Sequence, residues 1–294
     1  MVDKPAFPVL ITGCGDIGRR VARLWLERGA TVYGLARTAR SDPPGLIPLE
    51  GDLDHPETLA DLPGEGALIY YFAPPPGQGT DDPRVTAFLQ ALRGARPLRL
   101  VYISTSAVYG DRQGAWVDEQ SPPAPGTERG RRRLAAETAI QEWSRHTAVT
   151  TVILRVGGIY GPGRLPLDGV RARAPMLRAE LSGWTNRIHA EDLARVCVAA
   201  GERGSGIYNV SDGQPGSIPE LYQAIAASLG LPRPPELDWE AAQAVLSPGL
   251  LSYLSESRRL DTGRMQRELG VRLLYPDLAS GLAACPELGM GDEG

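Results

Sequence analysis

Val9-Leu10-Ile11-Thr12-Gly13-Cys14-Gly15-Asp16-Ile17-Gly18 reads as a buried strand, a glycine turn and the first turn of a helix. Gly13, Gly15 and Gly18 have the G-x-G-x-x-G spacing. The first glycine makes the tight turn, the second lets backbone approach a pyrophosphate, and the third seats helix against strand. The phosphates would sit on the helix start at Asp16 and Ile17. Unpaired N–H groups and the positive end of the macrodipole favour an anion there without any cationic side chain.

A glycine triplet alone says little in a chain with 35 glycines. Its surroundings say more. Ile17, Val21, Leu24 and Trp25 fall at i, i+4, i+7 and i+8, one apolar helix face, and Gly29 ends that helix. Ala30 to Ala36 then reads as a second buried strand, which completes a βαβ unit of the length a dinucleotide site needs. At the end of this strand a dinucleotide enzyme selective for NAD carries an acidic residue for the adenosine ribose. Here the position is Ala36, followed by Arg37. Without a carboxylate to repel a 2′-phosphate, and with a guanidinium that grips phosphate through two parallel hydrogen bonds, the expected cofactor is NADP, with NAD the alternative.

The chain has 294 residues, 42% of them hydrophobic, enough for one large α/β domain or a domain with a smaller lobe. A net charge of −4 with dispersed arginines gives no basic field, so nucleic acid is not an expected partner. No apolar run is long enough to span a bilayer and the N-terminus lacks signal-peptide character, so the expected location is the cytoplasm. Cys14, Cys197 and Cys285 are odd in number and lack metal-ligand spacing, so no metal is expected. Cys14 lies inside the glycine loop, where a helix end can lower a thiol pKa; the plainer reading is a small loop residue.

Strand and helix signals alternate through the first half. Ala67 to Ala73, Leu98 to Ser104 and Thr150 to Arg155 read as strands, and Arg131 to Arg145 as a helix burying Leu134, Ala135, Thr138, Ile140 and Trp143. This predicts a doubly wound parallel α/β sheet, the Rossmann arrangement, over residues 1–165. A smaller substrate lobe follows over 166–294, with about 186–212 returning to the sheet through Ile207 to Val210. Residues after Cys285 read as a loose tail.

With these segments in view, the chain resembles the extended branch of the short-chain dehydrogenase/reductase superfamily, which includes nucleotide-sugar epimerases and dehydratases. Gly51-Asp52-Leu53 is similar to the family's Asp-Leu pair at the adenine, and Phe72-Ala73-Pro74 to the segment lining the cofactor. Ile103 to Asp111, with Val108-Tyr109-Gly110, is similar to the stretch carrying the catalytic Ser or Thr, which the resemblance places at Thr105. Leu154 to Arg164 is similar to the cofactor-to-substrate crossover, and Asn186 to Asp192 to the family's Ile-His-x-x-Asp segment. The resemblance implies an NAD(P)-dependent oxidoreductase or epimerase-like enzyme on a small polar carbonyl or nucleotide-sugar substrate. It also implies a homodimer formed through the helices near residues 85–95 and 131–145.

The family's Tyr-x-x-x-Lys pair is missing. Aligned on Leu134 to Glu137, Arg133 stands at the lysine position and Arg129 at the tyrosine position. No tyrosine lies between Tyr109 and Tyr160, and Lys4 is the only lysine. Arg133 retains a positive charge for the cofactor ribose, but an arginine, with a pKa above ~12, does no proton transfer at neutral pH. Three explanations stay open. The acid/base has moved, with Tyr109, Tyr160 and His189 as candidates; the substrate supplies its own proton; or the chain is an NADP-binding sensor or partner protein without turnover. In the enzyme reading Thr105 donates a hydrogen bond to the substrate carbonyl and Arg133 holds the ribose. Arg164, Arg171, Arg173, Arg178 and Arg187 cluster in sequence, which suits an anionic ligand or a solvated face.

Overall fold

The computed structural model describes residues 5–289. β1 (Val9–Thr12) runs fully buried into the glycine turn, α1 (Asp16–Leu26) follows, and β2 (Val32–Ala36) pairs in parallel with β1 from Val9↔Val32 to Thr12↔Leu35. β3 (Ile47–Glu50) adds at the outer edge. No apolar run announces β3, because Ile47, Pro48 and Glu50 are exposed; an edge strand tolerates proline, whose missing N–H needs no partner there.

β4 (Leu68–Tyr71), α2 (Pro83–Ala91), β5 (Arg99–Thr105), α3 (Glu128–Thr147) and β7 (Thr150–Val156) extend the sheet on the other side of β1, while the two-residue β6 (Trp116–Val117) pairs apart from it with a later strand at Arg259–Leu260. The remaining elements are β8 (Gly158–Tyr160), α4 (Leu167–Arg171), β9 (Met176–Leu177), β10 (Arg187–His189), α5 (Ala190–Arg203), β11 (Gly206–Val210) and α6 (Ile218–Ser228). They continue with β12 (Glu236–Leu237), α7 (Trp239–Val245), α8 (Pro248–Ser255), β13 (Arg259–Leu260), α9 (Leu278–Ala283) and α10 (Pro286–Gly289). The central sheet has the order β11-β7-β5-β4-β1-β2-β3, every pair parallel. The strand order reverses beside β1, which opens a crevice at the carboxyl edge between β1 and β4.

Both sheet faces are covered, so alternate residues of a strand serve opposite layers and the strands read as continuous apolar runs. Val9 and Ile11 pack with Val21 and Trp25 of α1 and Leu193 and Val196 of α5. Leu10, Ile69 and Tyr71 pack with Val85 and Phe88 of α2 and Ala136 and Ile140 of α3. A separate apolar cluster of Tyr160, Val170, Ile225, Ala226 and Leu282 holds α4, α6 and α9 together beyond the sheet.

Two sequence expectations need correction. α3 begins at Glu128, capped by Thr127, whose Oγ1 accepts the Gly130 N–H; its fully buried positions are Gly130, Arg132, Ala136, Glu137 and Ile140, while Thr138 is exposed. The apolar phase misleads because charged residues occupy the inner face: Glu137 pairs with Arg155, and Arg132 donates to the Gly79 carbonyl at 2.6 Å. The segment after Cys285 is not loose through its first residues. Pro286–Gly289 form α10, and Glu287 accepts the Gly163 N–H at 2.8 Å; the rest of that segment lies outside the described residues.

Candidate functional site

At the crevice beside β1, Gly13 turns the chain with φ +85°, and a Cβ there would stand 2.4 Å from the Ala73 nitrogen. Only glycine fits. Gly18 brings α1 against the turn, since its Cβ would meet the Gly13 carbonyl oxygen at 2.9 Å. At Gly15 an added Cβ would meet nothing within 4 Å, so the backbone there borders open space. Gly15 is also the residue before α1, whose first N–H groups have no intrahelical acceptor. The glycine turn and the open backbone before α1 have the geometry that an anion cradle needs.

The cavity over this loop measures about 410 Å³. It takes in Gly13, Cys14 and Gly15, then Ala36, Arg37 and Arg40 at the end of β2, Asp52 and Leu53 after β3, and Ala73 and Pro74 after β4. Arg84 reaches it from α2, donating to the Pro74 carbonyl at 3.0 Å and to both carboxylate oxygens of Asp54. Asp16 and Ile17 do not line it. Ile17 lies on the buried face of α1, and the Asp16 carboxylate accepts from Arg20 at 2.9 Å and Arg164 at 3.0 Å, tying α1 to the loop after β8. Cys14 fits the plainer of its two readings: burial pushes its thiol up to about 11 against the opposing charge of Arg19, so the helix end does not make it a thiolate at neutral pH.

Thr105 ends β5, between the strands flanking this crevice and β7. Its Oγ1 accepts the Ala107 N–H at 3.2 Å, which leaves the hydroxyl hydrogen to donate elsewhere. Arg133 of α3 donates to the Tyr102 hydroxyl at 3.1 Å and the Ile103 carbonyl at 3.0 Å, so its guanidinium lies against β5 outside the lining of that cavity. Tyr102 is pushed up to about 12 by burial, with the Arg133 charge working against that rise.

A second cavity, about 160 Å³, opens at the carboxyl side of β5 and β7. Ser106 and Tyr160 line it from the sheet side, Asn186 and Arg187 from β10 and the loop before it, and Tyr253, Glu256 and Arg258 from α8 and beyond. Of the five clustered arginines only Arg187 lines it. Arg171, Arg173 and Arg178 are exposed and Arg164 pairs with Asp16, so α4 and β9 disperse what the sequence brings together.

The displaced acid/base candidates are engaged in other contacts, including Tyr160 in the second cavity's lining. Tyr109 is fully buried, its hydroxyl donating to Asn209 Oδ1 at 2.7 Å, with Arg155 stacked 4.8 Å from its ring. The Tyr160 hydroxyl donates to the Asp277 carbonyl at 3.2 Å, and burial pushes the phenol up. His189 caps α5 by accepting the Glu191 N–H on Nδ1, is 1% exposed, and is held below its ordinary value by burial. Two groups have no motif to mark them. Asp212, just past β11, has a carboxyl pushed up to about 7 by burial, with Oδ1 accepting the Gln214 N–H. Tyr253 reaches the second cavity from α8, and its ring carries the guanidinium of Arg129 at 3.9 Å.

A profile of the NAD dependent epimerase/dehydratase family matches residues 9–211, from the first strand through the last strand of the sheet. The chain belongs to that family. Protein YeeZ of Escherichia coli K12 is 31% identical over 182 residues, 61% of this chain and 59% of YeeZ, so the chain spans under two thirds of that relative's length. A dTDP-6-deoxy-L-talose 4-dehydrogenase (NAD(P)(+)) of Kitasatospora kifunensis is 26% identical over 85% of this chain and 91% of its own. The solved structure of a conserved protein of unknown function from Silicibacter pomeroyi superposes with a TM-score of 0.80 at 31% identity, over 97% of this chain and all of that one. Among the described residues no helix is long and apolar enough to cross a membrane.

Proposed function

We propose that this epimerase/dehydratase-family chain is an NADP-dependent oxidoreductase acting on a small polar carbonyl compound, with a nucleotide sugar the preferred class. The observation that supports the reading is a pair of cavities at the carboxyl ends of one sheet's strands, the first at β1, β2 and β4 and the second at β5 and β7, with Thr105 closing β5 and its neighbour Ser106 in the second lining. The first has the glycine cradle and two arginines at its ribose end; the second has Arg187 for an anionic group, while Arg258 in the same lining is paired with Glu256 at 2.9 Å. When bound, the nicotinamide supplies or accepts a hydride. The chain's own part is to hold the pyrophosphate on α1, to attract a 2′-phosphate with Arg37 and Arg40, and to polarise the carbonyl through Thr105.

A second reading, an NADP-binding sensor without turnover, is favoured by Arg129 and Arg133 standing where the superfamily carries its tyrosine and lysine. The two separate in one experiment. NADPH binding is followed by fluorescence and its oxidation by absorbance, across a panel of dTDP- and UDP-linked 4-keto sugars and simple ketones. Turnover with at least one carbonyl supports the enzyme. Tight NADPH binding with no oxidation across the panel replaces it with the sensor.

A further inference from the structure

Arg129 occupies the position of the superfamily's catalytic phenol, and a phenol lies against it. Its guanidinium carbon stands 3.9 Å from the centre of the Tyr253 ring, a face contact that draws on the negative π surface. Tyr253 comes from α8, which starts at Pro248 with Ser247 accepting the Leu250 N–H, and which packs Leu250, Leu251 and Leu254 against Leu177 and Ala242. With Leu254 buried at 1% exposure, Tyr253 remains at the surface and is 45% exposed. Every other tyrosine is buried or half-buried. The Tyr253 hydroxyl makes no hydrogen bond among the described residues, whereas those of Tyr109 and Tyr160 are both engaged. Its side chain lines the second cavity together with Ser106, the neighbour of Thr105.

We propose that Tyr253 is the proton-transfer residue of this chain and that Arg129 is its positioning residue. The phenol is thus supplied by α8, and α3 supplies the cation that holds it. The assignment rests on the oxidoreductase reading given above. In the reducing direction Tyr253 releases its hydroxyl proton to the substrate oxygen while the carbonyl carbon accepts a hydride from the reduced nicotinamide. The C=O π bond becomes C–H and O–H bonds, NADPH leaves as NADP⁺, and solvent reprotonates Tyr253. The guanidinium over the ring fixes the ring plane and lies beside the charge that proton release leaves behind.

The test uses the full chain with NADPH and whichever panel carbonyl it reduces. Tyr253→Phe is expected to lower kcat by about 10²-fold or more, the usual contribution of a positioned acid, with the NADPH Kd and Tm unchanged. Arg129→Ala is expected to lower kcat by about tenfold and Arg129→Lys to restore part of it, since either cation can sit on a ring face. A readout apart from turnover is nitration by tetranitromethane with mass mapping: Tyr253 is modified first in the parent chain, and saturating NADP with the same carbonyl compound protects it. Turnover of Tyr253→Phe within threefold of the parent, or nitration unaffected by the bound pair, overturns the assignment and leaves the oxidoreductase reading standing. A parent chain that oxidises no NADPH anywhere in the panel overturns both.

Discussion

Arg155 Nη2 lies 2.7 Å from Glu137 Oε2, with the two side chains 4% and 1% exposed, so an ion pair sits in the layer between α3 and the sheet. It does not stand alone. Ser104 Oγ donates to Glu137 Oε1 at 2.5 Å, Arg155 stacks on Tyr109, Tyr109 donates to Asn209, and Asn209 Nδ2 donates to the carbonyls of Val117 and Asp261. The end of β5 that carries Thr105 is thereby joined to β7, β11 and the β6–β13 ladder.

Removing one member of this pair strands the other. Glu137→Ala or Arg155→Ala is expected to cost about 3–5 kcal/mol, because an unpaired charge stays buried. Glu137→Leu combined with Arg155→Met restores most of the loss, since apolar groups of similar volume need no partner. Urea unfolding of both single variants and the double variant decides it; single losses under about 1 kcal/mol would show that the pair is open to water.

In the proposed cofactor reading, Arg37 and Arg40 face the ribose end of the first cavity, and neither forms an ion pair among the described residues. A hydrogen bond to a charged group is worth about 1.5–3 kcal/mol. Arg37→Ala is therefore expected to weaken NADP binding by about tenfold or more and to leave NAD binding within twofold. Parallel calorimetric titrations of the two cofactors, repeated with Arg40→Ala, show which guanidinium carries the discrimination. Equal losses for both cofactors would remove the 2′-phosphate assignment.

Asp212 gives the protein a pH signature. Its folded carboxyl titrates near 7 against an ordinary 3.8, so the folded state binds this proton more tightly than the unfolded chain. Stability contributed by this group is full below about pH 4, falls as pH rises through about 7, and is flat beyond, a change of up to about 4 kcal/mol at 1.36 kcal/mol per pKa unit. Asp212→Asn keeps an oxygen for the Gln214 N–H and cannot ionise. The difference in unfolding free energy between variant and parent should grow in the variant's favour between about pH 4.5 and pH 7.5. A difference that stays constant across that range would mean the carboxylate is well solvated.

The sheet was legible because its signals are local. Val9 to Ile11, Leu68 to Tyr71 and Leu100 to Ile103 are apolar on both faces, and the glycine turn states its own geometry in three residues. Signals failed where an interaction partner lies far along the chain. Nothing near Glu137 indicates that Arg155 will neutralise it, and so the buried face of α3 was misphased at Thr138. The arginines between Arg164 and Arg187 are neighbours in sequence only. Tyr253 belongs to no motif; its one local trace is the Ser247-Pro248 helix start with Leu250, Leu251 and Leu254 on the buried side, which leaves the tyrosine facing out. That Arg129 waits beneath it follows from topology alone.

The first cavity is lined by residues between Thr12 and Arg84, the second cavity by residues between Ser106 and Arg258. The two linings share no position and do not interleave along the chain. If the first cavity holds the coenzyme and the second the substrate, as proposed, a lineage carrying this scaffold can exchange one substrate for another by changes confined to the later stretch and keep its coenzyme.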